Sequence, residues 1–144
     1  MPHTFEFSYH NPTQIHFGPN SFAKLGELIP RDAKVMLLYG GGSIKQNGIY
    51  DQVTQALADH TVVEFGGVEP NPTLETLTAA VNRIKEQKIE FILGVGGGSV
   101  ADGAKFIACA ALYEGDGWDI VSGKYVPTEA LPVGVVLTLP ATGS

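Results

Sequence analysis

The chain is poor in cysteine and in positive charge, and each shortage removes a class of function. Cys109 is the single cysteine among 144 residues, so no disulfide closes within the chain, as expected for a reducing compartment. It lies in the apolar run Phe106-Ile107-Ala108-Cys109-Ala110-Ala111, which predicts a buried structural thiol rather than a nucleophile. Nine Lys and Arg stand against fifteen Asp and Glu, a net charge of −6, the wrong sign for neutralising nucleic-acid phosphates. A nucleotide held by backbone amides is not excluded by that charge. No apolar run reaches membrane length and no basic stretch precedes an apolar one near Met1, so the chain is expected in the cytoplasm, away from membranes. His3, His10, His16 and His60 show no i, i+4 pairing and no clustered carboxylates, which argues against a metal site in this chain. Gly-x-Ser-x-Gly and Walker patterns are missing as well, which disfavours hydrolase and phosphotransferase chemistry.

What is present reads as one α/β domain. The chain is long enough to bury a core, and 44% hydrophobic with 17% charged residues lies within the globular range. Residues Phe5 to Phe17 alternate aromatic and polar side chains around Asn11-Pro12, which suggests two short strands or a β-arm. A short helix is expected from Asn20-Ser21 to Ile29, stopped by Pro30. Val35-Met36-Leu37-Leu38-Tyr39 is continuously apolar, as in a parallel strand covered on both faces. A helix from Gly42-Ser43 to about Ala58, interrupted at Gly48, precedes a strand at Thr61–Phe65. Thr73 has the N-cap pattern of a helix bearing Leu74, Leu77, Ala80, Val81 and Ile84 at helical spacing. Phe91 to Val95 predicts a third core strand and Ser99 to Leu112 a helix; Tyr113 to Glu129 reads as a polar loop, and Val133 to Leu139 as a fourth strand. The alternation implies an open parallel sheet with helices on both faces.

Two strand ends carry the chemistry. The run Gly94-Val95-Gly96-Gly97-Gly98-Ser99 places four glycines in five residues between an apolar strand and a helix. Backbone N–H groups and a helix N-terminus in that frame can hold a phosphate. Gly96-x-Gly98-x-x-Ala101 fits the dinucleotide fingerprint ending in alanine, but after the third strand rather than the first. The other reading of these glycines is a tight strand-to-helix turn. Ser99 and Asp102 also have capping-box spacing; the alternative is a Ser99 hydroxyl on pyrophosphate and an Asp102 carboxylate facing the nicotinamide side. Gly40-Gly41-Gly42-Ser43 repeats the pattern after an earlier strand. No Asp or Glu lies between Lys34 and Asp51, so small residues, Ser43 and the Lys45 cation favour a 2′-phosphate, hence NADP over NAD. Lys45 read alone is equally a solvated helix lysine. Asn71, between Pro70 and Pro72, reads either as a turn former or as an amide contacting adenine or ribose. Thr138-Leu139-Pro140-Ala141-Thr142-Gly143-Ser144 gathers hydroxyls at the end of the fourth strand, as a ligand crevice requires.

Five ordered motifs carry a resemblance that covers the whole chain. They are Phe17-Gly18, Tyr39-Gly40-Gly41-Gly42-Ser43, Gly67-Val68-Glu69-Pro70-Asn71-Pro72, Gly94 to Ser99 with Asp102 and Lys105, and Leu137 to Ser144. Together they resemble the iron-containing (type III) alcohol dehydrogenases, most closely the branch of NADPH-dependent butanol dehydrogenases and aldehyde reductases. That resemblance implies the Rossmann-like N-terminal domain of the dehydroquinate-synthase-like fold. It also implies a helical C-terminal domain whose one Asp and three His bind iron or zinc. Residues 1–144 then form the nucleotide-binding domain, incomplete at its C-terminal edge, and the metal ligands fall beyond Ser144. By the same resemblance Gly40, Gly41 and Ser43 hold the 2′-phosphate, with Asn71 near the adenosine. Gly97, Gly98 and Ser99 hold the pyrophosphate. Asp102, the candidate catalytic residue, lies beside the nicotinamide ribose and substrate. Thr138, Leu139 and Thr142 line the adenosine and diphosphate side. The implied reaction moves hydride between NADP(H) and a primary alcohol or aldehyde. The fragment alone is expected to be inactive, its truncated edge prone to self-association. A homodimer or higher homo-oligomer is expected, with the β-arm as contact. The competing readings are a dehydroquinate-synthase-like lyase domain, disfavoured by the Gly40 turn, and a stand-alone non-catalytic nucleotide-binding module.

Overall fold

The computed structural model describes residues 4–139. A single 3-10 turn (Ser21–Lys24) and α1 (Leu25–Leu28) precede β1 (Lys34–Tyr39), α2 (Ser43–Gln46), α3 (Ile49–Ala56) and β2 (Thr61–Phe65). They are followed by α4 (Leu74–Gln87), β3 (Phe91–Gly96), α5 (Gly98–Ala110), α6 (Gly117–Val121) and β4 (Val133–Leu137). The four strands form one sheet in the order β2-β1-β3-β4, with every neighbouring pair parallel. The register sets Tyr39 opposite Val95 and Gly96 opposite Leu137, so the glycine turns after β1 and β3 leave the same sheet edge side by side.

Strand side chains alternate between two cores, as the pleat requires. Met36, Leu38 and Ile92 face α4 and α5, packing with Leu77, Ala80, Val81, Ile84, Ala104 and Ile107. Val35, Leu37, Leu93 and Val95 face the other way, onto Ile29, Ile44, Val53 and Leu57. Val35 to Leu38 are wholly buried, which accounts for their unbroken apolar run. Helices therefore cover both faces, as expected of a Rossmann-like α/β fold.

Local signals set several boundaries. The Thr73 side chain caps α4 by accepting from the Thr76 N–H at 3.3 Å. The expected helix from Ser43 onward is divided into α2 and α3 by Gly48, at φ 82°. Among the described residues no helix is long and apolar enough to cross a membrane.

Three expectations need correction. Residues 4–17 pair with no strand, so the two-stranded arm over Phe5–Phe17 is not formed within this chain. Phe5, Phe7, Tyr9, Ile15 and Phe17 are each at least 77% exposed; a lone hairpin has no apolar surface of its own to pack against. Within that segment the Asn11 side chain accepts from the Thr13 N–H at 2.9 Å, and the turn expected at Gly18-Pro19-Asn20 forms. The polar stretch Tyr113–Glu129 holds α6, capped by Asp116 through the Trp118 N–H at 2.9 Å. Five residues are too few to show a helical period, so no apolar pattern announced it. Finally, Cys109 is half-buried rather than enclosed, and burial still pushes its thiol pKa up, which keeps it a poor nucleophile.

Candidate nucleotide site

The turn after β3 is built from close packing. Gly96 adopts φ +157°, and a Cβ there would fall 2.8 Å from Val100 Cγ2, so the strand can enter α5 tightly only as glycine. Gly97, the extended N-cap residue, has nothing within 4 Å of where its Cβ would stand. That open space lies at the N-terminus of a 13-residue helix, where unsatisfied N–H groups and the helix dipole favour an anion. The Thr138 N–H donates to Gly96 O at 2.9 Å, tying the end of β4 to the same turn.

Ser99 does not open a capping box. The helix starts two residues earlier than that motif needs, with Gly97 as N-cap and Ser99 already inside the first turn. Its Oγ accepts from the Asn71 N–H at 3.2 Å, which leaves the hydroxyl proton to donate elsewhere. Asp102 follows one turn along α5, half-exposed and 3.8 Å from Lys105 Nζ.

The turn after β1 differs in construction. Gly41 and Gly42 have open space where a Cβ would stand, and Gly42 is left-handed at φ 99°. Ser43 begins the four-residue α2 and is exposed. Lys45 extends back over this edge, its Nζ lying 5.2 Å from the Tyr39 ring centroid and 5.0 Å from that of Tyr50. Contact with the Tyr39 hydroxyl, with a smaller contribution from the Glu64 carboxylate, raises the Lys45 pKa, so the cation persists across neutral pH.

The loop from Gly66 to Thr73 joins the two turns. The Gly67 N–H donates to Gly40 O at 2.9 Å and the Val68 N–H to Tyr39 O at 3.2 Å, fixing the end of β1. Asn71, left-handed at φ 51°, reaches Ser99 from the same loop. The turn-forming role of Asn71 is therefore realised, with its side chain exposed beside the turn. Glu69 anchors the loop by accepting from the Thr73 N–H at 2.7 Å and the Thr76 hydroxyl at 3.0 Å. The Thr73 N–H, and then the Thr76 hydroxyl, hold the Glu69 carboxyl below its ordinary pKa.

Gly40, Gly41, Ser43, Asn71, Gly97, Gly98, Ser99, Asp102 and Thr138 thus gather along one sheet edge. Leu139 follows Thr138 and is 68% exposed, and Thr142 lies outside the described residues. Beyond the residues between Lys34 and Asp51, β2 brings Glu64 to this edge, where it accepts from the Tyr50 hydroxyl at 2.7 Å. Among the described residues no three His, Cys, Asp or Glu side chains converge as a metal site.

Comparison with known proteins agrees with this geometry. The iron-containing alcohol dehydrogenase family model matches residues 12–144. The chain is 55% identical over 142 residues to the NADPH-dependent aldehyde reductase YqhD of Escherichia coli (strain K12), covering 96% of this chain and 36% of that protein. It is 54% identical to a probable NADH-dependent butanol dehydrogenase 1 of Bacillus subtilis (strain 168), with the same coverage of 96% and 36%. A solved NADH-dependent butanol dehydrogenase A from Thermotoga maritima superposes with a TM-score of 0.91 at 52% identity, over 95% of this chain and 35% of that one. The chain therefore spans little more than a third of the length of these relatives. With a parallel sheet, paired glycine turns and a family match along nearly its whole length, the chain belongs to the iron-containing alcohol dehydrogenases.

Proposed function

We propose that this chain is the cofactor-holding part of an NADP(H)-dependent alcohol dehydrogenase or aldehyde reductase. The observation that carries the reading is the pair of glycine turns at one sheet edge, one at a long helix N-terminus and the other beside Ser43 and Lys45. The open Cβ positions at Gly41, Gly42 and Gly97 fit phosphate oxygens that must approach backbone amides. Gly97, Gly98 and Ser99 hold the pyrophosphate. Gly40, Gly41 and Ser43, assisted by Lys45, hold the 2′-phosphate. Asn71, Thr138, Leu139 and Thr142 flank the adenosine and diphosphate, and Asp102 stands towards the nicotinamide ribose and substrate. NADP(H), when bound, supplies or accepts the hydride.

The described residues offer no ligand set for a metal, so we assign the iron or zinc of such an enzyme to a part of the protein outside them. On that assignment the segment 1–144 alone should not reduce an aldehyde. Self-association through the exposed aromatic segment Phe5–Phe17 is part of the same reading.

Separate titrations of NADPH and NADH into the intact protein test the cofactor assignment, with tighter NADPH binding expected. Equal affinity would remove the 2′-phosphate seat. Butanal reduction assayed before and after chelation tests the metal, and activity surviving complete metal removal would end that part of the reading.

A further inference from the structure

Glu64 stands at the carboxyl end of β2, on the sheet face shared with Tyr39 and Tyr50. It is held by a hydroxyl, through the 2.7 Å bond from Tyr50 Oη to Glu64 Oε2. Lys45 is held instead by two aromatic rings, and the ion pairs seen among the described residues lie elsewhere, at Asp102–Lys105 and Asp119–Lys124. The rings are themselves braced: Tyr39 and Tyr50 meet edge-to-face at 6.4 Å and 70°. Gly66 also lets the Tyr39 ring lie against the loop, since a Cβ there would fall 2.6 Å from Tyr39 Cε2. A carboxylate and an ammonium thus share one surface beside the β1 turn: the carboxylate acts on the ammonium electrostatically and helps raise its pKa, while its hydrogen bond goes to Tyr50. The bond to Glu64 raises the Tyr50 pKa, so the phenol remains a donor at neutral pH.

We propose that the Tyr50–Glu64 hydrogen bond is a specificity-determining latch that keeps the carboxylate off Lys45 and so sets the preference for NADP(H) over NAD(H). The inference rests on reading the Gly40–Ser43 turn as the 2′-phosphate seat. Released from Tyr50, Glu64 would neutralise Lys45 and repel a 2′-phosphate. It would also be free to accept from a ribose 2′-hydroxyl. All three changes lower the affinity for NADPH relative to NADH.

The test is direct titration of both reduced cofactors into the intact protein, read as the ratio of their affinities. Tyr50→Phe should lower the NADPH:NADH ratio about threefold, the scale of an exposed charge interaction. Glu64→Gln should raise it about twofold, and in that background Tyr50→Phe should have no further effect. A merely structural role for Tyr50 would weaken both cofactors alike and leave the ratio in place. An unchanged ratio in either single variant, or a Tyr50→Phe shift that survives in the Glu64→Gln background, overturns the latch. Wild-type protein that binds both cofactors equally, with Lys45→Met altering neither, overturns the 2′-phosphate reading itself.

Discussion

The two glycine turns share the sequence Gly-Gly-Gly-Ser and are built for different work. The turn after β3 feeds the 13-residue α5, whose inner side is buried against the sheet. The turn after β1 feeds the four-residue α2, which stops before Gly48. A long packed helix aims a fixed set of N–H groups and a dipole at its N-terminus, whereas four residues supply little of either. On the proposed reading, recognition at the β1 turn comes from side chains, with Ser43, Lys45 and Glu64 near it. Backbone geometry is suited to what all dinucleotides share, the pyrophosphate. Side chains are suited to what distinguishes them, the 2′ position.

The sharpest way to break the comparison is at the packed turn. Gly96→Val should cost about 2–3 kcal/mol of stability, because the new side chain collides with Val100 in a backbone conformation foreign to it. Gly41→Ala, with open space around it, should stay within about 0.5 kcal/mol of wild type. Denaturant midpoints for the two variants check the contrast, and equal losses would mean that the turns are built alike. Next in size, Gly97→Ala should fold normally and weaken NADPH and NADH together, by about tenfold, or about 1.4 kcal/mol. A loss confined to one cofactor would move the pyrophosphate away from this turn.

Lys45→Met sharpens the other side. It should weaken NADPH about three- to fivefold and leave NADH unchanged, with the difference shrinking as salt is raised. The smallest effect concerns the loop joining the turns. The Glu69 pKa is lowered in the folded protein, so the stability it adds is fully present above the unfolded carboxyl value, about 4.3. That stability is lost as pH falls through the depressed folded value. Amide exchange at Thr73 and Thr76 should accelerate over that interval in wild type, and Glu69→Gln should remove the pH dependence while leaving the rest of α4 protected.

Legibility in the sequence followed the range of the forces involved. The strands β1, β2 and β3 were readable to within a residue, β1 and β3 because a buried parallel strand needs an unbroken apolar run. Thr73 as a cap and Gly48 as a break were equally local. The β-arm was misread since alternation around Asn11-Pro12 states a tendency, and pairing needs a partner strand that residues 4–17 do not meet. The helix α6 escaped because its support is tertiary: Gly117 lies against Phe106, and Tyr113 stacks on Tyr125 at 4.0 Å. The Ser99 capping box failed by two residues, the margin by which an extended Gly97 advances the start of the helix.

The sequence by itself determined which residues form strands, where the glycines interrupt them, and which hydroxyls and cations follow each turn. Those features depend on periodicity and backbone sterics, which act over a few residues. Only the tertiary structure decided that β1 and β3 are neighbours, so that turns more than fifty residues apart share an edge. It also decided that the Gly66–Thr73 loop ties Gly40 to Ser99, and that β2 brings Glu64 to the tyrosines beside Lys45. Strand order is set by how two apolar faces are covered at once, a global condition that no window of sequence contains.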